Sequence, residues 1–349
     1  MPDSRWNILL LRLGALLLAL IFTFLILLAV GAQPFSVFGD IVGGALGSSS
    51  RFSNVLSAWV PLVLVSAGLL ITFSAGLWNI GIEGQIMLGA IFTTGAIRLL
   101  QETALPPALV LALAIIAGML GGALWASLAG VMKTFGGVNE IFGGLGLNFV
   151  STSISLWLIF GPWKRPGVAS MSGTEPFDEA FRLATFQGLR LSPWALLLGI
   201  AAVILVYFLL RGTYFGLRLK AVGKNPRASY ILGIPTWQHM MLAFFLCGAL
   251  GGLAGAVQVT AVYHRLIPAI SSGYGYMGLM IGMLVNFHPV WAAPVALFFA
   301  ALNIGSIQLP ILHKLDSSLA GVLQGVLVLF VLLAEGIRQK YFNRKAASS

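Results

Sequence analysis

The sequence predicts an all-α fold: a polytopic transmembrane helical bundle with about ten spans and both termini cytoplasmic. Three observations carry that expectation. Of 349 residues, 58% are hydrophobic and only 9% charged, against about 25% charged in a soluble domain. So few charges cannot clothe a surface that faces water, and most of it must face the lipid bilayer. Apolar runs reach the roughly 20 residues that a helix rising about 1.5 Å per residue needs to cross hydrocarbon, Leu9–Val30 most plainly. The runs are continuous and not alternating, which excludes a β-barrel, the other structure that satisfies its own backbone in lipid.

Taken in order, spans are expected over roughly 8–30, 55–75, 78–98, 107–132, 141–160, 192–210, 239–261, 272–288, 290–308 and 317–337. The first apolar run follows Arg5 and Arg12. It is longer than the roughly 7–15 residues of a signal-peptide core, so a retained span is expected. The stretches 55–98 and 272–308 must each fold back once. Gly76, Gly81 and Gly84 are the candidates for the first reversal, and Asn286, His288 and Pro289 for the second. Residues 31–54, with Pro34, Gly39, Gly43, Gly44, Gly47 and Ser48–Ser50, have the composition of an outer loop. In the outer loop 161–191, Trp163, Phe177, Phe181, Leu183 and Phe186 stand among charges, which suits a short amphipathic helix. The spans group as one, four, one, four, with 55–160 and 239–337 alike in length, as internal repeats of transporters are. No sequence identity joins the two halves. The whole of 1–349 reads as a single transmembrane domain.

The formal net charge is +10. In a soluble chain it would suggest nucleic acid, but here the cations lie at predicted span ends and orient the chain. With the N-terminus inside, twelve of the 20 Lys/Arg fall on the cytoplasmic side. The bias is sharpest over 211–238, where Arg211, Arg218, Lys220, Lys224 and Arg227 stand with no Asp or Glu. Cys247, the one cysteine, allows neither an intrachain disulfide nor a zinc cluster and is expected to be packed. His239, His264, His288 and His313 fall at predicted span ends and read as interfacial polar residues.

No ATP site of the phosphate-loop kind exists, because Gly223-Lys224 is followed by Asn225 with no GxxxxGK[ST] around it. No nucleophile, acid pair or metal-ligand cluster is evident. What stands out instead is polar sequence inside apolar sequence. Trp78, Asn79, Glu83 and Gln85 lie between Gly76 and Gln85. An ionisable residue at mid-span costs about 2.5–3.5 kcal/mol, so this segment is expected to line a path or to knit the core. Asn139 is placed to cap the helix that starts near Ile141, with Glu140 at its positive end. Asn148, about two turns further along, is not explained by the cap. After the sixth span, Asn225-Pro226 opens a short helix over 226–232 that Gly233 stops. A compact, basic, cytoplasmic helical loop of that kind is a docking element.

These residues carry a resemblance. Gly76-Leu77-Trp78-Asn79-Ile80-Gly81-Ile82-Glu83-Gly84-Gln85 resembles the GLxNIGxEGQ signature of ABC importer permeases. Those permeases handle branched-chain amino acids, ribose-like sugars and nucleosides, and the signature belongs to their nucleoside/simple-sugar branch. Gly137–Glu140 with Leu147-Asn148 is similar to that branch's GxNEV…MLN segment. Leu219–Ala228, ending at Gly233-Ile234, is similar to its cytoplasmic coupling loop RAVGxNPxAAxxxGI. The three motifs, in order, cover roughly 76–234. The chain departs from the pattern at the glycine-rich Phe142–Gly146 and at Lys224, where an acidic residue is common. The resemblance implies a non-enzymatic permease subunit in a bacterial-type plasma (inner) membrane, paired with a second homologous permease in a heterodimer. It also implies an ATPase subunit that binds ATP and Mg and docks beneath 211–238, and an extracytoplasmic solute-binding protein. Ala221, Gly223, Asn225, Pro226 and Gly233 would couple to the ATPase. Trp78, Asn79, Glu83, Gln85 and Asn148 would build the translocation path or gate. The solute would be a nucleoside first, a simple sugar next. The alternative is an ion-coupled secondary transporter that uses Glu83 as its ion site. An intramembrane enzyme would need groups that the sequence lacks.

Overall fold

The computed structural model describes residues 5–167, 173–316 and 318–346. Among the described residues every regular element is helical. In chain order these are α1 (Arg5–Ala29), α2 (Pro34–Leu46), α3 (Ser49–Ser74), α4 (Ile82–Leu100), α5 (Pro107–Thr134), α6 (Glu140–Phe160) and α7 (Pro193–Gly212). The short α8 (Tyr214–Lys224) and α9 (Pro226–Ile231) follow. Next come α10 (Thr236–Val257), which runs on as a π-helical turn over Gln258–Val262, and then α11 (Tyr274–Leu284). The last are α12 (Pro289–Ser306), α13 (Leu309–His313) and α14 (Leu319–Ala346).

Among the described residues six helices are long and apolar enough to cross a membrane, or seven if α1 and α2, bent by 107°, form one broken span. The chain is a multi-pass helical membrane protein. Ten full-length apolar spans are not found among the described residues. The stretch 272–288 forms only the 11-residue α11, about 16 Å at 1.5 Å per residue, or half of the hydrocarbon thickness. Its start is broken by Ser272 (φ 50°) and Gly273 (φ 73°), both left-handed. The second reversal falls where expected, with Asn286 (φ 49°) and Phe287 (φ 61°) ahead of Pro289. The first uses Gly76 (φ 72°), whereas Gly84 lies inside α4.

Two compact units divide the chain. One comprises residues 1–55 and 298–349. In it the rings of Phe22 (α1) and Phe330 (α14) lie 5.7 Å apart, and Leu27, Val37, Ile41, Leu309 and Leu323 form the core. Residues 31–54, expected as loop, instead hold α2 and the first turn of α3. Glycines that signal a loop in water permit close helix approach in lipid. A Cβ on Gly305 would lie 2.2 Å from the Ile41 carbonyl oxygen. His313 Nε2 meets Asp40 Oδ2 at 2.6 Å.

The other unit, residues 56–297, is built around α3. The apolar stretch of α3 is 83% buried, against about a third for α5, α6 and α7. A helix apolar all round belongs in the middle. The helices α4, α5 and α10 meet backbone to backbone through small residues. A Cβ on Gly252 would come within 2.2 Å of the Gly118 carbonyl oxygen, and one on Gly89 within 2.3 Å of Gly252 Cα. On the opposite side of α5, Leu109, Leu113, Ile116, Leu120, Leu124 and Leu128 are exposed at helical spacing, a lipid-facing stripe.

The amphipathic helix expected within 161–191 is not formed in the described part; residues 168–172 lie outside it. A single 3₁₀ turn, Glu179–Phe181, is found. The segment is instead a strap stitched to the end of α10. The amides of Thr174, Phe177 and Leu183 donate to the carbonyls of Leu266 (2.9 Å), His264 (2.8 Å) and Thr260 (3.0 Å). Its aromatic residues Phe177 and Phe181 are buried, so their spacing reflects anchoring and not a lipid-facing helix face.

Candidate functional site

Two features bear on function: a buried polar junction and an exposed helical hairpin. The junction begins where α3 ends. Gly76 turns the chain, residues 75–81 form a tight loop, and α4 starts at Ile82. Asn79 and Gln85 exchange two amide hydrogen bonds: Asn79 Nδ2 donates to Gln85 Oε1 (3.0 Å) and Gln85 Nε2 donates to Asn79 Oδ1 (2.8 Å). Asn79 Nδ2 also lies 3.1 Å from Cys247 Sγ on α10. Asn148 reaches across from α6 and closes the loop from the other side. It accepts from the Gly84 amide (2.8 Å) and donates to the Ile80 carbonyl (2.9 Å). This contact accounts for the residue that the cap does not explain. Asn139 does cap α6, accepting from the Ile141 amide at 2.9 Å, and Glu140 pairs with Lys133 at 2.6 Å.

Glu83 occupies the first turn of α4 and is 6% exposed. Its Oε1 accepts from the amides of Gly275 (2.8 Å) and Tyr276 (3.2 Å), and the Ser271 side chain lies beside the same carboxylate. Those amides lie in the first turn of α11, which its own backbone leaves unpaired. A carboxylate from another helix therefore serves as the N-terminal cap of α11, where the helix dipole favours negative charge. Trp78 is half-buried; its ring packs edge-on to Phe73 at 5.2 Å, and its backbone contacts the Glu140 carboxyl. All five residues singled out in the sequence thus meet around one junction. Asn79, Glu83, Gln85 and Asn148 are buried with their polar atoms engaged inside the chain. Their bonds tie α4 and the loop before it to α6, α10 and α11. Asn148→Ala is expected to cost about 1–3 kcal/mol, because it strands the buried Gly84 amide and Ile80 carbonyl. Thermal unfolding of the purified protein in detergent measures it, and an unchanged midpoint would count against the clamp.

The hairpin of α8 and α9 follows α7. Thr213 caps α8 (Gly216 amide, 3.1 Å) and Asn225 caps α9 (Ala228 amide, 3.0 Å), with Pro226 in the first turn. Gly233 (φ 82°) ends the segment, as the sequence predicts. Lys220 Nζ donates to the Leu210 carbonyl (2.6 Å) at the end of α7, where a cation complements the dipole. Leu219, Val222 and Ser229 face inward. Tyr230, Ile231 and Leu232 are 69–82% exposed beside exposed Lys224 and Arg227. That apolar patch was missed in the sequence, although three consecutive large residues at the end of a capped polar helix are a readable signal. Of the two glycines among the predicted coupling residues, Gly233 has open space around it and Gly223 touches the bundle closely. A Cβ there would lie 2.3 Å from the Ser74 carbonyl oxygen and 2.9 Å from the Gly76 nitrogen.

The four histidines lie at or next to helix ends, each with a partner inside the chain. His239 is buried and stacks on Phe215 at 5.7 Å, His264 accepts the strap through its carbonyl, His288 Nε2 contacts Arg211, and His313 pairs with Asp40. Among the described residues no three His, Cys, Asp or Glu side chains gather as a metal site.

The family described as "Branched-chain amino acid transport system / permease component" matches residues 51–332. The chain is 28% identical to the glucose ABC transporter permease protein TsgB13 of Haloferax volcanii, over 88% of this chain and 83% of the relative. It is 25% identical to the guanosine ABC transporter permease protein NupP of Bacillus subtilis, over 96% of each. It is 26% identical to a second guanosine permease protein of that bacterium, NupQ, over 74% of this chain and 82% of the relative.

Proposed function

The chain belongs to that family of permease components, and we propose that it is the membrane-spanning subunit of an ATP-binding-cassette importer for a small polar solute. A nucleoside is the first candidate and a simple sugar the next, in keeping with the names of its relatives. The observation that carries the docking assignment is the α8–α9 hairpin. It presents Tyr230, Ile231 and Leu232 outward, among cations and with no local protein cover. An exposed apolar patch with a charged rim marks a protein contact. An ATPase subunit docks there and supplies ATP and Mg. A second, homologous permease completes the path, as the similarity to both NupP and NupQ supports. A solute-binding protein delivers cargo on the opposite face. Both termini lie in the cytoplasm of a bacterial-type cell, with α1, α4 and α14 joining the six apolar helices as crossings and residues 263–284, irregular backbone followed by the short α11, making the tenth.

Ala221, Gly223, Asn225, Pro226 and Gly233 shape the docking hairpin, and the buried junction serves the gate. An ion-coupled carrier is not favoured, because the Glu83 carboxylate is engaged by the start of α11. Gly223→Arg is expected to abolish ATP-driven uptake, since no side chain fits against Ser74 and Gly76. Uptake into vesicles and ATPase activity of the assembled complex measure it. Normal solute-stimulated uptake by the variant would overturn the docking assignment. Uptake that survives ATP depletion and collapses with the ion gradient would overturn the importer itself.

A further inference from the structure

The docking hairpin and the buried junction are in direct contact, and this has a mechanical consequence. Gly223, in the last turn of α8, lies against Ser74, Ala75 and Gly76, and a Cβ on Gly76 would in turn sit 2.9 Å from the Gly223 carbonyl oxygen. Two backbones touch with no side chain between them to absorb movement. The 75–81 loop beyond this contact is stiff. Asn79 and Gln85 tie it to α4, and Asn148 clamps both the Ile80 carbonyl and the Gly84 amide. The same first turn of α4 carries Glu83, whose carboxylate holds the start of α11. That helix is short and is bracketed by left-handed residues, Ser272 and Gly273 before it and Asn286 and Phe287 after it. Such turns let a helix shift as a unit without breaking a long neighbour.

Building on the importer function, we infer that the 75–81 loop is a relay. Displacement of α8 passes through the Gly223–Gly76 contact to the buried junction and from Glu83 to the N-terminus of α11. Gly76 and Glu83 are positioning residues, and α11 is the element that moves. The solute path is opened or closed by α11 while the long helices keep their glycine contacts.

Hydrogen exchange over residues 273–284 tests this in the assembled permease–ATPase complex, nucleotide-free and with ATP bound to a hydrolysis-deficient ATPase. The amides of Gly275 and Tyr276 report the Glu83 contact directly. Their exchange is expected to differ several-fold between the two states in the wild-type chain. In Gly76→Ala, which alters the contact from the loop side and leaves the docking hairpin's own residues in place, the difference disappears although the ATPase still co-purifies. In Glu83→Gln both amides exchange faster in both states. An exchange rate in wild type that ignores nucleotide overturns the relay, and needs no variant to fold. So does a full nucleotide response in Gly76→Ala, or wild-type protection in Glu83→Gln. Failure of any ATPase to bind the wild-type chain would instead overturn the importer function on which the relay rests.

Discussion

Gly252→Val is expected to leave no folded permease. A Cβ at this position would meet the Gly118 carbonyl oxygen at 2.2 Å and the Gly122 nitrogen at 3.1 Å. These are backbone atoms of α5 that cannot swing aside as a flexible side chain would. Gly89 presses on Gly252 from the α4 side, so the three helices cannot separate on one flank alone. The loss is expected to exceed about 4 kcal/mol, the range in which single substitutions become exceptional. Membrane yield and size-exclusion behaviour of the detergent-solubilised protein measure it. Gly146→Ala on α6 is the control, with open space where the methyl would go. It should be neutral or stabilising by up to about 1 kcal/mol, because alanine favours the helix over glycine. A Gly252→Val protein that accumulates and elutes like wild type would show that these helices do not depend on their close approach.

Glu83→Ala comes second. It removes the acceptor of two backbone amides at once. Hydrogen bonds to charged groups contribute about 1.5–3 kcal/mol each, and stranded buried donors cost more than the bond returns. A loss of about 3 kcal/mol or more is expected. Uptake should fall about tenfold or more, the equivalent of about 1.4 kcal/mol in the barrier. Glu83→Gln keeps an acceptor oxygen and should lie between the two. Thermal unfolding and initial uptake rates, measured on the same preparations, separate the effects. An alanine variant as stable and active as wild type would remove Glu83 from the cap of α11.

The site was legible in the sequence to an uneven degree. Asn79, Glu83, Gln85 and Asn148 were visible because a polar group inside apolar sequence costs free energy and so must have a partner. Which partner was not visible. Gly275 and Tyr276 lie 192 and 193 residues from Glu83 in the chain, and only their backbone amides take part, so residue type carries no trace of the bond. The cap at Asn139 and the stop at Gly233 were readable because both act within a few residues. Residues 31–54 misled for the opposite reason. Glycine and serine mark flexibility in water and close packing in lipid, and composition does not distinguish the two.

The amino-acid sequence determined that the chain is helical, that it lives in lipid and where its short capped helices begin. These follow from hydration and from hydrogen bonds a turn or two long. The tertiary structure alone decided that 272–288 would be a short helix held by Glu83, that 173–183 would be a strap, and that Gly223 would rest on Gly76. Each of those depends on which backbone atoms come within a few ångströms of one another after packing. A backbone amide or carbonyl is the same group in every residue but proline, so nothing in the order of side chains announces its partner.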